Sequence, residues 1–592
     1  MDRIKIMSED LSNKIAAGEV VERIANVIKE LTENSIDAQS TEISVSLENA
    51  GSKEIKVMDN GIGMDPNDAL NAFKRHATSK IYKPEDLFFI NTLGFRGEAL
   101  PSIASVSKVT LETSEGDVGT KIVIEGGKLI ENTKCAARKG TLIKVNDLFY
   151  NTPARLKYLK SEQTELSNTT QYMEKLALSY PEIAFTLTNN DTTIIKTTGS
   201  GNLLKCIHEL YGQMVSKNML EIKGTSDDYD IYGYICKPVV LKSNRNYMTT
   251  IVNGRVVRNA ELNKAINDAY HTYKPDIRYP VVVIKIETDP TLIDVNIHPT
   301  KQDIKFSKID TLINLTTKLI KNALYNSLLI PKIEITKPEE NAEATMQNYQ
   351  EITTEENPSI EYSEELFVNN DLVTTFNEPK IEETQMDFKL DEKNEEVKHL
   401  ELYPCGLVFG TYIVAQNEEN MYLIDQHAAQ ERINYEKVLK ALREEKITIT
   451  DLLFPISVEL SPSDYLAFKE KEEIFKELGF NFEEFGINTI IVKSHPTWLI
   501  TGYEEEQIRK IIDFLISTPT TFERAKFQDH LAATAACKMS VKGNEATTTE
   551  QAENLLNDLV KCDNPYNCPH GRPTIISFTR YELERMFKRV MN

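Results

Sequence analysis

The sequence predicts a multidomain chain of α/β and α+β folds in which an acidic linker joins two folded parts. Apolar residues recur at helical spacing from Val20 to Leu31, and alternating residues then predict strands at 41–47 and 54–59. The 592 residues are enough for three or more domains. Residues 331–400 contain 19 acidic residues, six lysines and no glycine. Such a composition buries too little apolar surface to offset chain entropy, so we expect a flexible linker there.

Charge and composition limit the class of protein. The formal net charge is −22, and residues 331–400 account for −13 of it. The charge argues against a protein that coats DNA uniformly, but it leaves room for local basic patches on the folded parts. The sequence has no signal peptide, no apolar run long enough for a bilayer, and seven cysteines without a paired framework. We therefore expect a cytoplasmic protein with reduced thiols and no membrane partner.

Four separated stretches carry the polar residues of one predicted nucleotide site: KELTENSIDA (29–38), DNGIGM (59–64), TLGFRGEAL (92–100) and KGTLIKV (139–145). No phosphate loop of the form GxxxxGK[ST] is present, so an ATP site would have to be built differently.

The first stretch is predicted to be helical. Arg23, Glu30, Asn34 and Asp37 share one side of this helix. A carboxylate one turn before an amide suits a general base beside a Mg²⁺ ligand. Alternatively, these polar residues are simply the solvent-exposed side of the helix and bind nothing.

The second stretch places Asp59 in phase with the apolar strand residues Ile55 and Val57, which predicts a buried carboxylate. A buried carboxylate needs hydrogen-bonded partners, and an adenine amino group would be one. Gly61 and Gly63 would let the backbone approach a flat ring closely. The alternative is an ordinary turn at Asn60-Gly61.

The third stretch predicts a loop that carries Gly94, Arg96 and Gly97 and runs into a helix, where backbone N–H groups can hold phosphates. In the fourth stretch, Thr141 begins a predicted strand. Its hydroxyl could complete a polar ring around adenine, or it could be an ordinary strand threonine.

The four stretches, in this order, resemble the ATPase superfamily shared by DNA gyrase, a heat-shock chaperone, histidine kinases and MutL. Four further motifs make the chain similar to the MutL mismatch-repair family: IAAGEVVE (15–22), RHATSK (75–80), GFRGEAL (94–100) and FYNTPAR (149–155). Ile24 stands where the family usually has Pro, a residue that is favoured but not required in a first helical turn.

The resemblance implies a fold for each part of the chain. The expected order is a GHKL (Bergerat-type) ATPase α/β sandwich at 1–204, a second, ribosomal-protein-S5-like α/β subdomain at 205–330, the acidic linker at 331–400, and a C-terminal α+β dimerisation and endonuclease domain at 401–592 with an accessory subdomain at about 455–530. The residue pattern of 455–530 predicts the order strand–helix–strand–helix.

The resemblance also implies residue roles. Glu30 would activate the water that attacks the γ-phosphate, Asn34 would bind Mg²⁺, and Asp59 would bind adenine. Lys301 would reach the γ-phosphate from the second subdomain, although a surface ammonium is the alternative. The further ATP contacts are a lid of Gly94, Phe95, Arg96 and Gly97, together with Asp37, Gly61, Gly63, Thr78 and Thr141.

The second subdomain is predicted to contain strands joined at Asn253-Gly254, an apolar strand at 280–287 and a helix at 308–328. Arg245, Arg255 and Arg258 belong to this part of the chain. They would either contact DNA phosphates or simply be exposed strand residues.

The C-terminal part carries a second chemical constellation. The segment 421–424 predicts a strand, and a helix follows with Asp425 near its N-cap. Cys, His and carboxylate together form a plausible zinc set, although each residue alone has an ordinary structural explanation. The candidate metal ligands are Asp425, His427, Glu431, Cys537, Cys568 and His570.

Three motifs here resemble MutL proteins that nick DNA: D-Q-H-A-x2-E-x4-E from Asp425 to Glu436, ACK with Lys538 where Arg is common, and CPHGRP (568–573). The resemblance implies metal-assisted phosphodiester hydrolysis with Asp425 and Glu431 as catalytic residues. Cysteine ligands favour Zn²⁺, and the family implies that Mn²⁺ or Mg²⁺ can support turnover.

The sequence thus predicts an ATP-gated homodimeric clamp of mismatch repair that nicks double-stranded DNA at the nucleoid and works with the mismatch-recognition protein MutS. Binding of the replication sliding clamp is in doubt, because Thr450 stands where its motif (450–455) usually begins with Gln. The alternative is an ATP-dependent matchmaker with a structural metal. A topoisomerase subunit would carry an acidic DNA-cleavage module and a sensor kinase a phosphoacceptor-His helix; the sequence shows neither.

Overall fold

The computed structural model describes residues 18, 20–83, 92–94, 96–274, 278–294, 304–329, 402–443, 447–499, 502–518, 527–529, 531–533, 536, 548–587 and 589. The predicted linker lies outside these residues. Contacts join the residues before 331 and those after 400 into one compact unit. No helix in the described part of the chain is both long enough and apolar enough to cross a bilayer.

An eight-stranded sheet forms the first part of the chain, in the order β5-β4-β3-β6-β2-β1-β7-β8. β1 and β7 are parallel, and the other neighbours are antiparallel. Alternate residues of β1 and β2 are buried, as the predicted strands require. The strands are β1 (Glu42–Glu48), β2 (Glu54–Asp59), β3 (Lys108–Ser114), β4 (Gly119–Glu125), β5 (Lys128–Cys135), β6 (Gly140–Asn146), β7 (Ala184–Asn189) and β8 (Thr192–Lys196).

Helices pack on this sheet. They are α1 (Ile24–Asp37), α2 (Pro66–Asn71), α3 (Ala99–Ser105), α4 (Pro153–Tyr158), α5 (Glu162–Ser179) and α6 (Leu203–Lys217). All of them except α4 contribute buried residues to one hydrophobic core with the sheet. The prediction placed the start of α1 too early, because Arg23 has an extended backbone and the helix begins at Ile24. The predicted domain boundary after residue 204 falls inside α6, whose buried residues belong to the first core.

The second subdomain is a five-stranded sheet in the order β13-β12-β15-β10-β9, with a core of its own against two helices. Asn253 and Gly254 both have positive φ and join β12 to β13, as predicted. The elements are β9 (Met219–Thr225), β10 (Tyr229–Cys236), β11 (Leu241–Lys242), β12 (Met248–Val252), β13 (Arg255–Val257), α7 (Ala260–Ala269), β14 (Tyr279–Pro280), β15 (Val282–Thr288), β16 (Ile293–Asp294), β17 (Lys305–Phe306) and α8 (Ile309–Leu329).

The C-terminal part contains two antiparallel sheets, of order β18-β19-β20-β24 and β21-β23-β22. The elements are β18 (Tyr403–Val408), β19 (Tyr412–Gln416), β20 (Asn420–Asp425), α9 (Gln426–Arg443), β21 (Ile449–Glu459), α10 (Pro462–Lys469), α11 (Glu472–Glu477), β22 (Asn481–Phe485), β23 (Thr489–Pro496), α12 (Glu504–Ser517), α13 (Thr549–Val560), β24 (Ile575–Thr579) and α14 (Arg580–Met586).

The accessory subdomain contains more helices and strands than the sequence predicts. Two short helices, α10 and α11, stand where one was expected, and a strand pair, β22–β23, replaces the second single strand. An aromatic cluster fills its core, and Trp498 lies perpendicular to Phe480 there at a centroid distance of 6.3 Å. The strand–helix–strand–helix prediction was therefore too simple, because short segments share this core.

The accessory subdomain contacts the first part of the chain through polar side chains. Glu174 on α5 accepts hydrogen bonds from the backbone N–H (2.9 Å) and the hydroxyl (3.1 Å) of Ser463. Nearby, the Lys242 ammonium donates to Asp464 at 3.1 Å. Burial raises the pKa of Glu174 to about 7. The two halves of the compact unit thus meet at an interface that contains a titratable carboxyl group.

Candidate functional site

Helix α1 presents a polar side at the edge of the first core. Its apolar residues, including Ile28 and Leu31, are fully buried, while Glu30, Asn34 and Asp37 are only partly buried. Arg23 does not join these three, because it is exposed and precedes the helix in an extended conformation. The structure therefore brings together three of the four polar residues that helical spacing had grouped.

Asp59 ends strand β2 beside α1 and is 6% exposed. Its Oδ1 accepts the backbone N–H groups of Gly61 at 2.9 Å and Thr141 at 3.2 Å. Its Oδ2 accepts the Ser35 hydroxyl at 2.8 Å. The burial predicted for Asp59 is confirmed, and three donors hold its carboxylate in one orientation.

Sequence reasoning missed Ser35 as a partner of Asp59. It lies next to Asn34 in the quoted helix motif, but only the tertiary contact between α1 and β2 shows its role. The Thr141 hydroxyl is 3.0 Å from the Thr113 hydroxyl on the neighbouring strand β3. Thr141 therefore stands at the start of β6, as predicted, within a small buried polar group.

Two glycines permit the close backbone approaches that shape this end of the sheet. Gly63 (φ +77°) packs against the carbonyl of Ser114, and Gly97 (φ +62°) packs against the carbonyl of Ala77. A Cβ at either position would collide with backbone, and positive φ would strain any larger residue. The Gly97 carbonyl also accepts the His76 N–H at 3.2 Å, which joins the RHATSK and GFRGEAL segments.

The predicted phosphate loop approaches Asp37. Asp37 Oδ1 accepts the Leu93 N–H at 3.0 Å, and Oδ2 accepts the Gly94 N–H at 3.1 Å. The Lys80 ammonium donates to Asp37 Oδ2 at 2.5 Å and to Asn34 Oδ1 at 3.2 Å. Lys80 lies in the RHATSK motif, but the motif alone does not predict these contacts.

The remaining predicted nucleotide residues lie apart from these contacts or outside the described residues. The Thr78 hydroxyl accepts the Lys80 N–H at 3.2 Å, and Arg96 is exposed. Helix α3 begins at Ala99, directly after the loop, as predicted. Phe95 and Lys301 lie outside the described residues, so their expected roles stay predictions.

A basic cavity of about 300 Å³ borders the other flank of α1. Its lining includes Lys29, Lys175, Arg255 and Arg258. Burial, and then the charge of Arg258, lower the pKa of Lys175. Arg255 is not simply an exposed strand residue, because its guanidinium donates to the carbonyl of Thr92 at 2.6 Å.

The C-terminal constellation begins at the junction of β20 and α9. Asp425 Oδ1 accepts the N–H groups of His427 at 2.9 Å and Ala428 at 3.1 Å, so its predicted N-cap position is confirmed. His427 Nε2 lies 3.3 Å from Glu431 Oε1, one turn along the helix. Glu431 is only 1% exposed.

Arg572 joins the CPHGRP turn to this helix. Its guanidinium donates to both oxygens of Glu431, at 3.2 and 3.0 Å. A hydrogen bond with the thiol of Cys568, and then the charge of Glu431, raise the pKa of Arg572. The Cys568 N–H donates to the Arg572 carbonyl at 2.9 Å, which closes the turn. Sequence reasoning gave Arg572 no role, although it lies in the quoted motif.

Glu436, the last residue of the first C-terminal motif, has a structural task. It accepts the backbone N–H groups of Asp563 at 2.7 Å and Asn564 at 3.2 Å, and so fixes the segment that leads to Cys568. The His570 side chain is exposed at the turn, and Cys537 lies outside the described residues.

The donor types around Glu431 suit zinc, because they include imidazole, carboxylate and thiol. Within the part of the chain that the structure describes, however, no group of three or more His, Cys, Asp or Glu residues is close enough to hold a metal ion. The Arg572 guanidinium contacts Glu431 there instead.

Three family descriptions match the chain. They are "Histidine kinase-, DNA gyrase B-, and HSP90-like ATPase" at residues 22–145, "DNA mismatch repair protein, C-terminal domain" at 207–325, and "MutL C terminal dimerisation domain" at 405–547.

Full-length relatives bear the same name. DNA mismatch repair protein MutL of Listeria monocytogenes is 44% identical over 602 residues, covering 99% of both chains. That of Shouchella clausii is 42% identical over 654 residues, covering 99% of this chain and 100% of the other. That of a Geobacillus species is 44% identical over 620 residues and covers both chains completely. The chain therefore belongs to the MutL family of DNA mismatch repair proteins, with an ATPase domain near its start and a dimerisation domain near its end.

Proposed function

We propose that this chain is an ATP-gated homodimeric clamp of DNA mismatch repair that acts in the cytoplasm at the nucleoid. ATP would bind between α1 and the end of the first sheet, with Asp59 on the adenine amino group. Asn34 would bind Mg²⁺, and Glu30 would activate the attacking water. Lys301 would reach the γ-phosphate from the second subdomain.

The environment of Asp59 carries this proposal. A carboxylate offers about four lone-pair positions. Gly61 and Thr141 use two on Oδ1, and Ser35 uses one on Oδ2. One acceptor position therefore remains on a carboxylate that is otherwise fixed, which suits an amino donor such as that of adenine.

Two substitutions separate binding from hydrolysis. Glu30→Ala should keep ATP binding and lose hydrolysis, because it removes the proposed base and leaves Asp59 intact. Asp59→Asn should weaken binding itself, because an amide nitrogen cannot accept the hydrogen bonds that the carboxylate receives. Calorimetric binding of an ATP analogue and phosphate release would be measured for both. Equal rates of ATP hydrolysis by wild type and Glu30→Ala would show that Glu30 is not the general base.

ATP would act on the dimer by a change of population between open and closed arrangements. The C-terminal parts would stay paired, and β18 offers exposed Tyr403, Leu407 and Val408 for such pairing. Closure of the N-terminal parts around DNA would bring Lys175 and Arg258 of the basic cavity near phosphates. X-ray scattering should show compaction with a non-hydrolysable analogue, and unchanged dimensions would count against gating.

Partner proteins would include MutS and, through a surface bulge, the sliding clamp. The register of β21 with β23 shifts between Asp451 and Ile456, and Leu453 and Phe454 in this bulge are 88% and 79% exposed. An apolar pair displayed in this way suits a shallow apolar groove, although Thr450 departs from the family's Gln. The double variant Leu453→Ala, Phe454→Ala should lose clamp binding in a pull-down with purified proteins, and retained binding would exclude the bulge.

We also propose that the C-terminal part nicks DNA. The supporting observation is that Asp425 caps the helix that carries His427 and Glu431, and that Arg572 of the CPHGRP turn donates to Glu431. These residues, with Cys537 and His570, would hold Zn²⁺, or Mn²⁺ during turnover. Such an ion would polarise a phosphate oxygen and supply hydroxide. The chain's own groups would orient the phosphodiester at the start of α9.

Nicking of supercoiled plasmid with Mn²⁺ tests this second activity. Wild type should convert the plasmid to the open circle, and Asp425→Asn should not, while ATP hydrolysis stays unchanged. If wild type binds zinc and never nicks, the chain is an ATP-dependent matchmaker with a structural metal.

A further inference from the structure

The Lys80 ammonium lies on the oxygen proposed for Mg²⁺. It donates to Asn34 Oδ1 at 3.2 Å and to Asp37 Oδ2 at 2.5 Å. The side chains of Lys80 and Asp37 are only 18% and 8% exposed. The chain thus places one positive charge of its own at the cation position of the nucleotide site.

The Asp37 carboxylate lies on backbone groups of the kind that hold phosphates. It accepts the N–H groups of Leu93 at 3.0 Å and Gly94 at 3.1 Å. Gly94 itself packs close to this pair, because a Cβ built on it would be 3.4 Å from the Lys80 nitrogen and 3.7 Å from Asn34 Oδ1. An anion of the chain therefore occupies the place where a phosphate oxygen would accept these bonds.

The same short segment is held from a second side. The Arg255 guanidinium, on strand β13 of the second subdomain, donates to the Thr92 carbonyl at 2.6 Å. The Thr92 hydroxyl in turn donates to the Gly94 carbonyl at 2.8 Å. One segment of three residues thus contacts both α1 and strand β13 of the second subdomain.

We propose that Lys80 and Asp37 form a placeholder ion pair that stands in for Mg²⁺ and phosphate until Mg·ATP displaces it. This inference rests on the proposed ATP function. Mg²⁺ takes Asn34 Oδ1 from Lys80, and the polyphosphate takes the Leu93 and Gly94 amides from Asp37. Before nucleotide binds, the ion pair keeps the site neutral and closed. When Mg·ATP replaces the pair, the segment 92–94, which Arg255 contacts, becomes looser.

The test compares Lys80→Met with wild type, and Lys74→Met serves as the matched control. Lys74 is an exposed lysine six residues away, so its loss removes the same charge without touching α1. Hydrogen exchange of the peptide that carries the Leu93 and Gly94 amides is followed with and without a non-hydrolysable ATP analogue. Calorimetry gives the affinity of that analogue with and without Mg²⁺.

Without nucleotide, Lys80→Met should exchange these amides about fivefold faster than wild type, because Asp37 loses its buried partner. With saturating Mg²⁺ and analogue, the two proteins should exchange equally, since the pair is already broken. The gain in affinity from Mg²⁺ should be about fivefold larger in Lys80→Met, because Mg²⁺ no longer competes with an ammonium. Lys74→Met should match wild type throughout.

Equal exchange in the nucleotide-free proteins overturns the placeholder, and so does a difference that persists with nucleotide bound, because a merely structural lysine acts in both states. If Mg²⁺ increases the analogue's affinity less in Lys80→Met than in wild type, Lys80 acts only as a phosphate ligand. That result also overturns the placeholder proposal. Failure of wild type to bind the analogue would instead overturn the proposed ATP function. An unchanged thermal transition of Lys80→Met excludes misfolding.

Discussion

The nucleotide site at α1 and the constellation at α9 each hold a cation of the chain among candidate metal ligands. Lys80 contacts Asn34 and Asp37 with a single ammonium. Arg572 donates to both oxygens of Glu431 from one nitrogen of its planar guanidinium. An ammonium is a compact charge on a flexible stem, whereas a guanidinium presents its donors in one plane with a fixed geometry.

The two cations also differ in their surroundings. The Arg572 carbonyl accepts the Cys568 N–H, which fixes the backbone of the turn but leaves the Arg572 side chain 55% exposed. The Lys80 side chain is only 18% exposed. Arg572 is therefore held by directed bonds to one buried carboxylate, and Lys80 by burial and by contacts with two residues.

Loss of Arg572 should have the largest effect. Arg572→Met leaves the buried Glu431 carboxylate with His427 as its remaining partner, at a cost of about 2 kcal/mol. Hydrogen exchange in the first turns of α9 should accelerate about 30-fold by the same estimate. Arg443→Met on the same helix breaks only an exposed pair with Asp529 and should change exchange about twofold at most. Equal effects of the two variants would show that Arg572 contributes no more to α9 than an exposed arginine does.

The contact between Glu174 on α5 and Ser463 of the accessory subdomain should depend on pH. Its effect should be smaller than that of losing Arg572 and larger than that of losing the Ser35 hydroxyl. The pKa of Glu174 is raised to about 7, mainly by burial and in part by the charge of Asp464, while the hydrogen bonds from Ser463 and the charge of Lys175 oppose the shift. The contact therefore favours the protonated carboxyl and should weaken as pH rises from about 5 through 7. X-ray scattering should find wild type more compact at pH 5.5 than at pH 8, and Glu174→Gln compact at both. Glu162→Gln, an exposed change on the same helix, should behave as wild type does.

Loss of the Ser35 hydroxyl should have the smallest effect. Ser35→Ala removes one of three donors to Asp59 but leaves both backbone donors in place. The affinity for an ATP analogue should fall about fivefold, as for a net hydrogen bond of about 1 kcal/mol. Ser52→Ala, which removes an exposed hydroxyl bonded to the Asn49 carbonyl, is the control. An unchanged calorimetric affinity would show that the backbone donors alone orient Asp59.

Local patterns predicted the elements whose signals are complete within a few residues. The alternation in β1 and β2, the Asn253-Gly254 turn and the helix after Asp425 all hold in the structure. The start of α1 was misplaced because apolar spacing continues through Val20 and Val21, while the backbone at Arg23 is extended. The accessory subdomain was misread because α10 and α11 are separate short helices.

The sequence predicts each candidate site as a set of residues, but it does not predict the contacts within the set. Asp59 was expected to be buried because it alternates with Ile55 and Val57, yet Ser35 reaches it only through the packing of α1 on β2. Lys80 and Arg572 were visible in quoted motifs, but a lysine or arginine in a motif does not reveal which carboxylate it meets. These contacts join residues 43 and 141 positions apart, and no periodicity reports such distances.

The single tryptophan has a practical consequence. Trp498 is the only such residue in the chain, and it packs among the phenylalanines of the accessory subdomain, far in sequence from both candidate sites. Its ultraviolet emission therefore reports the solvent exposure of that one core, without any introduced dye. An emission maximum that moves to longer wavelength would mark the opening of this core, to which α9 contributes Val438 and Leu442, so the unmodified protein carries its own optical reporter.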